Sequence, residues 1–194
     1  MQTKPVIEID TRVLKEDYCN HDLIARCWND EYRGRAWKNK DRIADIEGTD
    51  LDEIMAELRA IVDGIQHAKR KERGKRKLGA TEMTDALAGI EPKLTRLQKA
   101  MLLVHARAPA QRVMMRAIMR LGDHASADLA FAEYAQIARR LSDELAYLPA
   151  SKRKDACPAS ALLFTEEVVM DSVSAETVLT LRQEVARAIE ALKW

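Results

Sequence analysis

Apolar residues recur along much of this chain at the three- and four-residue intervals of an amphipathic helix. The clearest stripe predicts a helix from Thr49 to about residue 68; its members are Leu51, Ile54, Met55, Leu58, Ile61, Val62 and Ile65. Thr49 is expected to cap this helix, with Asp52 and Glu53 in its first turn. Carboxylates are favourable there because they meet the positive end of the helix dipole.

Similar spacing predicts further helices in the second half of the chain. Thr95 and Gln98 form a capping-box pattern that opens a helix ended by Pro109. Pro109 fits the first turn of the next helix, and Gly122 fits its end. The other expected helical segments are 81–89, 126–148, 161–171 and 174–193.

The first fifty residues carry a weaker pattern. Residues 4–10 form a short β-branched run that suits, at most, an edge strand or a lead into the first helix. Residues 14–30 repeat loosely at helical spacing, and residues 31–46 suggest a break followed by a short helix. The N-terminal region is therefore also predicted to be helical.

Composition agrees with this interpretation, because the chain of 194 residues has only 7 Gly and 5 Pro. The predicted fold is all-α: a compact bundle of about eight helices, in one or two lobes, with at most a short N-terminal strand. The expected organisation is a helical region over 1–68, a basic linker or loop over 69–80 and a helical bundle over 81–194. One continuous domain is the alternative.

Charge is distributed unevenly along the chain, although the net charge is only +1. Residues 66–122 hold 14 basic and 4 acidic residues, and no Asp or Glu occurs over 92–122. Both flanking regions are acidic. The segment KRKERGKRK (69–77) has seven cations and no apolar face, which is typical of an exposed segment. Arg112, Arg116 and Arg120 are expected to form one row on a helix, because positions four apart share a face.

An external polyanion is one interpretation of this cationic region, and the protein's own acidic flanks are the other. The predicted function is non-catalytic binding of RNA or DNA, mainly through phosphates, as an accessory or regulatory subunit of a nucleoprotein complex. The candidate residues are Lys69, Arg70, Lys71, Arg73, Lys75, Arg76, Lys77, Arg96, Lys99, Arg107, Arg112, Arg116 and Arg120.

Two other functions remain open. A helical adaptor or inhibitor would dock an acidic protein surface through the same cations. A helix-turn-helix regulator would use residues 131–148, with a turn near Ser142 and Asp143, although that segment fits an uninterrupted helix better. Trp37 lies among cations and could stack on an unpaired base, but packing of its ring on a helix is the favoured interpretation.

The sequence contains no catalytic, nucleotide-binding or metal-binding motif that supports a mechanism. Cys19, His21 and Cys27 lack the paired spacing of a zinc site, and with Cys157 remote no disulfide framework is expected. No catalytic residue, cofactor or metal is therefore predicted. No apolar run is long enough to cross a bilayer. A cytoplasmic protein without membrane contact, and of unknown oligomeric state, is expected.

Overall fold

The computed structural model describes residues 10–74, 76–149, 157–170 and 175–194. These residues form six α-helices and seven strands in two antiparallel sheets. The fold is therefore mixed α/β, and the prediction of an all-α bundle of about eight helices is wrong. The chain divides into two compact units, residues 1–72 and 73–194.

The N-terminal unit is a four-stranded antiparallel meander followed by one long helix. Its elements are β1 (Val13–Tyr18), β2 (His21–Trp28), β3 (Glu31–Lys38), β4 (Asp41–Gly48) and α1 (Leu51–Arg73). The strands pair in chain order, β1-β2-β3-β4. The helices predicted over 14–30 and within 31–46 are therefore strands.

Two-residue turns create this sheet. Cys19 and Asn20 both adopt positive φ angles, and so do Asn29 and Asp30 in the next turn. Positive φ at both central residues gives the turn a twist that matches the right-handed twist of paired strands. Asn39 has φ of 57° in the third turn. Asn and Asp tolerate this backbone region better than most residues, and this favours three successive hairpins.

The core of the N-terminal unit lies between α1 and one face of the sheet. Leu51, Ile54 and Leu58 of α1 are buried against Leu23 and Ala36 of the central strands. Gly34 of β3 lets the helix approach closely, because a Cβ atom there would lie 2.2 Å from Cγ2 of Ile54. The apolar stripe predicted for this helix is therefore confirmed as its buried face.

The start of α1 differs by one residue from the prediction. The carboxylate of Asp50, and not the hydroxyl of Thr49, accepts hydrogen bonds from the backbone N–H groups of Asp52 (2.8 Å) and Glu53 (3.0 Å). Tyr18 of β1 donates a hydrogen bond to Asp63 of α1 at 2.9 Å, and this bond raises the pKa of Tyr18 to about 12.

The described residues of the C-terminal unit form five α-helices and a small sheet. Its elements are α2 (Ala80–Ile90), α3 (Arg96–Arg107), β5 (Arg112–Met114), α4 (Met115–Leu121), α5 (Ala127–Leu145), β6 (Phe164–Met170), β7 (Ala175–Leu181) and α6 (Gln183–Leu192). The sheet order is β5-β7-β6, with antiparallel pairing throughout.

Several helix predictions hold in this unit and others do not. Thr95 and Gln98 form the predicted capping box of α3, with bonds of 3.1 and 3.0 Å. The helix predicted over 126–148 is confirmed as α5. The helix predicted after Pro109 begins instead with β5, the segment 161–171 contains β6, and the segment 174–193 contains β7 before α6.

The core of the C-terminal unit is mainly apolar and includes one buried histidine. His105 of α3 contacts the Tyr134 hydroxyl through Nδ1 (3.0 Å) and the Leu179 carbonyl through Nε2 (3.1 Å). Since a carbonyl can only accept, Nε2 carries the proton and Nδ1 accepts from Tyr134. Burial lowers the pKa of His105, which favours this neutral form.

No helix in the described part of the chain is both long enough and apolar enough to cross a membrane.

Candidate nucleic-acid interfaces

The basic segment 69–77 is only partly an exposed surface. Lys69, Arg70 and Lys71 continue α1, so the loop predicted here begins only after Arg73. Arg73 is buried: it forms an ion pair with Glu82, and its Nε donates to the carbonyl of Leu145 at 2.9 Å. It therefore stabilises the C-terminal unit and is not presented to a ligand.

The remaining cations of this segment are accessible where the structure describes them. Arg70, Lys71, Arg76 and Lys77 are exposed, and Arg76 lies 4.0 Å from Glu82. Lys75 lies outside the described residues. On α3, Arg96 and Arg107 are exposed, whereas Nζ of Lys99 is 3.0 Å from the carboxylate of Glu91.

The predicted arginine row does not occupy a single helix. Arg112 belongs to β5, whereas Arg116 and Arg120 lie on α4. Arg112 pairs with Glu167 of β6 at 2.8 Å, and Arg116 pairs with Glu176 of β7 at 3.2 Å. Carboxylates of the acidic C-terminal flank therefore pair with two of the three guanidinium groups. This agrees with the interpretation in which the protein's own acidic flanks neutralise the cations. Within the described residues Arg120 forms no such pair.

Two consecutive packed helices that resemble a helix-turn-helix lie in the C-terminal unit, but not at residues 131–148. The turn expected near Ser142 falls inside the continuous helix α5. Instead, α4 and α5 pack against each other and are joined by residues 122–126, which begin with Gly122. Ser126 caps α5 by accepting a hydrogen bond from the Leu129 N–H at 3.4 Å. A short Gly-containing turn between two packed helices is typical of this motif.

A second candidate surface lies on the face of the N-terminal sheet opposite α1. We call it the open face; it carries Val13, Lys15, Ile24, Arg26, Trp28, Arg33, Arg35 and Trp37. These side chains line a shallow groove of about 300 Å³. They alternate along β2 and β3 with buried residues such as Leu23 and Ala25, because successive strand residues point to opposite sides.

The open face combines aromatic rings with guanidinium groups. The guanidinium carbon of Arg26 lies 4.4 Å from the centre of the Trp28 ring, and that of Arg35 lies 5.9 Å from it. Trp28 is 47% exposed, and Trp37 is partly buried. The structure thus places Trp37 on the sheet face and not against a helix, in a surface that the sequence interpretation did not include.

The cations of the open face differ in their partners. Arg33 pairs with Glu47 at 2.5 Å, and Arg35 pairs with Asp45 at 3.1 Å. Among the residues that the structure describes, neither Arg26 nor Lys15 has a carboxylate within ion-pair distance. The cationic side of the face is therefore the half formed by β1 and β2.

Cysteine and histidine side chains are dispersed in the described part of the chain. No group of three or more His, Cys, Asp or Glu residues converges there on a possible metal position. Within the described residues, Cys19, Cys27 and Cys157 form no disulfide bond. His21 is buried, and burial lowers its pKa.

The α4–α5 pair and the open face each bring cations together on a defined framework within the described structure. Chemistry of this type suits phosphate recognition, and aromatic rings add a surface for bases.

Comparison of the chain with protein-family models, with curated proteins and with solved structures finds no match.

Proposed function

We propose that this protein binds duplex nucleic acid through the helix-turn-helix of its C-terminal unit, mainly by contacts to phosphates. The observation that carries the proposal is the position of Arg116 and Arg120, which are both exposed on α4. In this motif the first helix crosses the nucleic-acid backbone while the second approaches the major groove. The two arginines therefore occupy the helix from which phosphate contacts are made.

The internal ion pairs do not oppose this function strongly. The side chain of Arg116 is 60% exposed, whereas that of its partner Glu176 is 17% exposed. A phosphate offers a guanidinium group two parallel hydrogen bonds, which is a stronger interaction than one exposed contact. A phosphate can therefore compete with Glu176 for Arg116, and Arg120 has no ion pair within the described residues that a phosphate would have to replace.

The side chains of α5 offer few groups that could recognise particular base pairs. Its exposed side includes Asp128, Ala132 and Gln136, and Arg139 is the exposed cation farther along the helix. Gln136 could pair with adenine, but Asp128 repels phosphates near the start of the helix. We therefore infer that affinity comes from the backbone and that sequence selectivity is modest, in the role of an accessory subunit.

Salt-dependent binding to a duplex tests this proposal. Fluorescence anisotropy with a labelled 20-base-pair DNA of random sequence would compare the full chain with the double variant Arg116→Gln and Arg120→Gln. The proposal predicts that the slope of log affinity against log salt becomes shallower by about 0.9 for each phosphate that the variant no longer neutralises. Glutamine is preferable to glutamate here, because a new carboxylate would repel Glu176.

The matched control is Arg187→Gln, which removes an exposed cation from α6. It should leave the slope unchanged. Absence of duplex binding at low ionic strength would contradict the proposal, and so would an equal loss in the control.

The second candidate function is docking of a protein partner. It is favoured by β6, an edge strand whose Val168 and Met170 are 61% and 75% exposed. Exposed apolar residues on an unpaired strand edge suit contact with another chain. This apolar edge differs from the cationic surface that an acidic partner would use. If polyglutamate binds the chain and DNA does not, the acidic-partner interpretation replaces the duplex interpretation of the cations.

A further inference from the structure

The open face of the N-terminal sheet has features that a structural role does not require. Arg26 of β2 lies directly opposite Arg33 of β3 in the antiparallel register. Like charges at opposite positions destabilise a sheet. Arg33 is neutralised by Glu47, but Arg26 faces the Trp28 ring instead of a carboxylate. An external anion would complete this arrangement.

The two tryptophans extend the surface along the strands. Trp28 lies opposite Glu31 and Trp37 lies opposite Asp22, so the rings occupy opposite ends of the β2–β3 pair. Six residues of strand separate these positions, which corresponds to roughly 20 Å. Ile24 and Arg26 lie between them on the same face. The surface is therefore elongated and offers a planar group near each end.

The chemistry of this face fits unpaired nucleotides better than other anions. An acidic peptide would use the cations but would leave the tryptophan faces without a planar partner. Bases in a duplex stack on each other, so their faces are not available, whereas unpaired bases can stack on aromatic rings and on guanidinium planes. Arg26 and Trp28 place a guanidinium group and an aromatic ring side by side on this face.

Acidic residues on the open face limit where the phosphates of a bound nucleic acid can lie. Asp45 and Glu47 lie on β4, where they neutralise Arg35 and Arg33. A phosphate backbone is therefore favoured on the other side, over β1 and β2, where Lys15 and Arg26 lie. Asp17 and Asp22 at one end and Glu31 at the other weaken attraction there, so phosphate contacts concentrate in the middle of the groove.

We propose that the open face binds a short unpaired segment of nucleic acid, with bases stacked on Trp28 and Trp37 and phosphates neutralised by Lys15 and Arg26. The length of the face suits about four nucleotides, at the small end of the range for compact single-strand-binding modules. This site belongs to the N-terminal unit and does not depend on the duplex function proposed for the C-terminal unit.

The test uses the full chain and fluorescein-labelled oligothymidine of eight nucleotides. Binding is followed by anisotropy, and stacking is followed with the unlabelled oligomer as quenching of tryptophan emission. Trp28→Ala should weaken binding by on the order of tenfold, the effect of removing one base stack, and should reduce the quenching. Arg26→Gln should weaken binding and lower the salt slope by about 0.7, the value for one phosphate of a single strand.

Arg59→Gln is the matched control, because it removes an exposed cation of the same unit from α1. It should change the affinity for the oligomer by less than about twofold, since it lies outside the proposed site. Thermal melting of each variant by circular dichroism establishes that the fold is retained. Unchanged affinity in a folded Trp28→Ala variant would overturn the proposal, and so would competition by polyglutamate as effective as that by the oligomer.

These variants test the duplex site and the single-strand site independently of each other. The double variant at Arg116 and Arg120 should lose duplex affinity and keep oligothymidine affinity, whereas Trp28→Ala should do the reverse. If either variant lost affinity for both the duplex and oligothymidine, the assignment of separate sites would be contradicted.

Discussion

Arg26 and Trp28 lie two residues apart on one strand, and the guanidinium carbon of Arg26 is 4.4 Å from the centre of the tryptophan ring. An exposed interaction of this kind contributes about 0.5–1 kcal/mol. Arg26 also faces Arg33 across the sheet, and the repulsion between them, which the Arg33–Glu47 ion pair reduces, opposes this contribution. The stability of the sheet therefore gives little reason for an arginine at this position.

This balance predicts that Arg26→Thr leaves the folded protein almost unchanged. Threonine is favourable in strands, and removal of the repulsion offsets removal of the cation–ring interaction. We expect the free energy of unfolding, measured by urea denaturation, to change by less than about 0.5 kcal/mol. Oligothymidine affinity should fall in the same variant. A decrease of more than about 2 kcal/mol in the free energy of unfolding would show that Arg26 is primarily structural.

Gly34→Ala should destabilise the N-terminal unit. The added methyl group would overlap Cγ2 of Ile54 and lie 3.1 Å from Cδ1 of Leu58, so the Ile54 side chain or α1 must shift. Overpacking of this type costs about 1–3 kcal/mol. Gly64→Ala is the matched control, because no atom lies within 4 Å of a Cβ there. In the middle of α1 this control should stabilise by about 0.5–1 kcal/mol. Urea denaturation would measure both.

The positive φ angle of Asn39, in the third hairpin turn, can be tested by substitution. Asn39 is exposed and has φ of 57°, so its side chain contributes little packing. Asn39→Ala should cost about 1 kcal/mol, because alanine tolerates left-handed backbone less well than asparagine. Asn39→Gly should restore the stability or exceed it. If both variants have the same melting temperature, the turn does not have this geometry in solution.

Arg73 and Arg70 should behave differently although they belong to the same basic segment. Arg73→Gln removes the buried ion pair with Glu82 and the bond to the Leu145 carbonyl, so unfolding should become easier by about 1–3 kcal/mol. Arg70→Gln should leave stability unchanged, because Arg70 is exposed. Chemical denaturation of the two variants side by side would measure the difference. Equal stabilities would show that Arg73 is not buried in solution.

The buried His105 predicts a loss of stability in mild acid. Its pKa in the folded protein is lowered by burial from about 6.5, so the unfolded chain binds the proton more readily. The contribution of the neutral ring is complete above pH 6.5 and decreases as the pH falls below that value. The midpoint of urea unfolding should therefore be lower at about pH 5.5 than at about pH 7.5, and His105→Gln should reduce this difference.

His21 is a second buried histidine with a lowered pKa, so His21→Gln must be measured in parallel. Each variant should remove its own part of the pH dependence. If neither variant alters it, other titrating groups are responsible.

The sequence contained enough information for the long helices because their apolar stripes face a single core. The buried face of α1 and the capping box of α3 were both predicted from spacing and cap residues. The N-terminal strands were missed for a specific reason. Leu14 and Tyr18 are four residues apart, and this separation places them on one face in a strand as well as in a helix.

The turn residues carry a second signal for the N-terminal strands. Asn-containing pairs recur every ten residues, at Cys19-Asn20, Asn29-Asp30 and Asn39-Lys40. The alternation between them is masked because residues 23–25 are apolar in succession, on both faces of β2.

The candidate surfaces depend on pairings that spacing does not reveal. The open face could be recognised only once the register had placed Arg26 beside Arg33. The cations were correctly seen as unevenly distributed, but spacing alone could not show which of them pair with Glu167, Glu176 or Glu82.

The two-residue connections of the N-terminal sheet also shape how the chain acquires its structure. Every pairing in the meander joins neighbours in sequence, so only short loops must close, and isolated hairpins form in roughly microseconds. The ribosome adds about 5–20 residues per second, which is far slower. Each hairpin is therefore sampled as soon as it emerges, but a single two-stranded hairpin is marginal in water and gains stability from further strands or from packing against a helix. The apolar face of the meander is covered only when the buried residues of α1 have also emerged, so this half of the molecule reaches its native state in the order of its sequence.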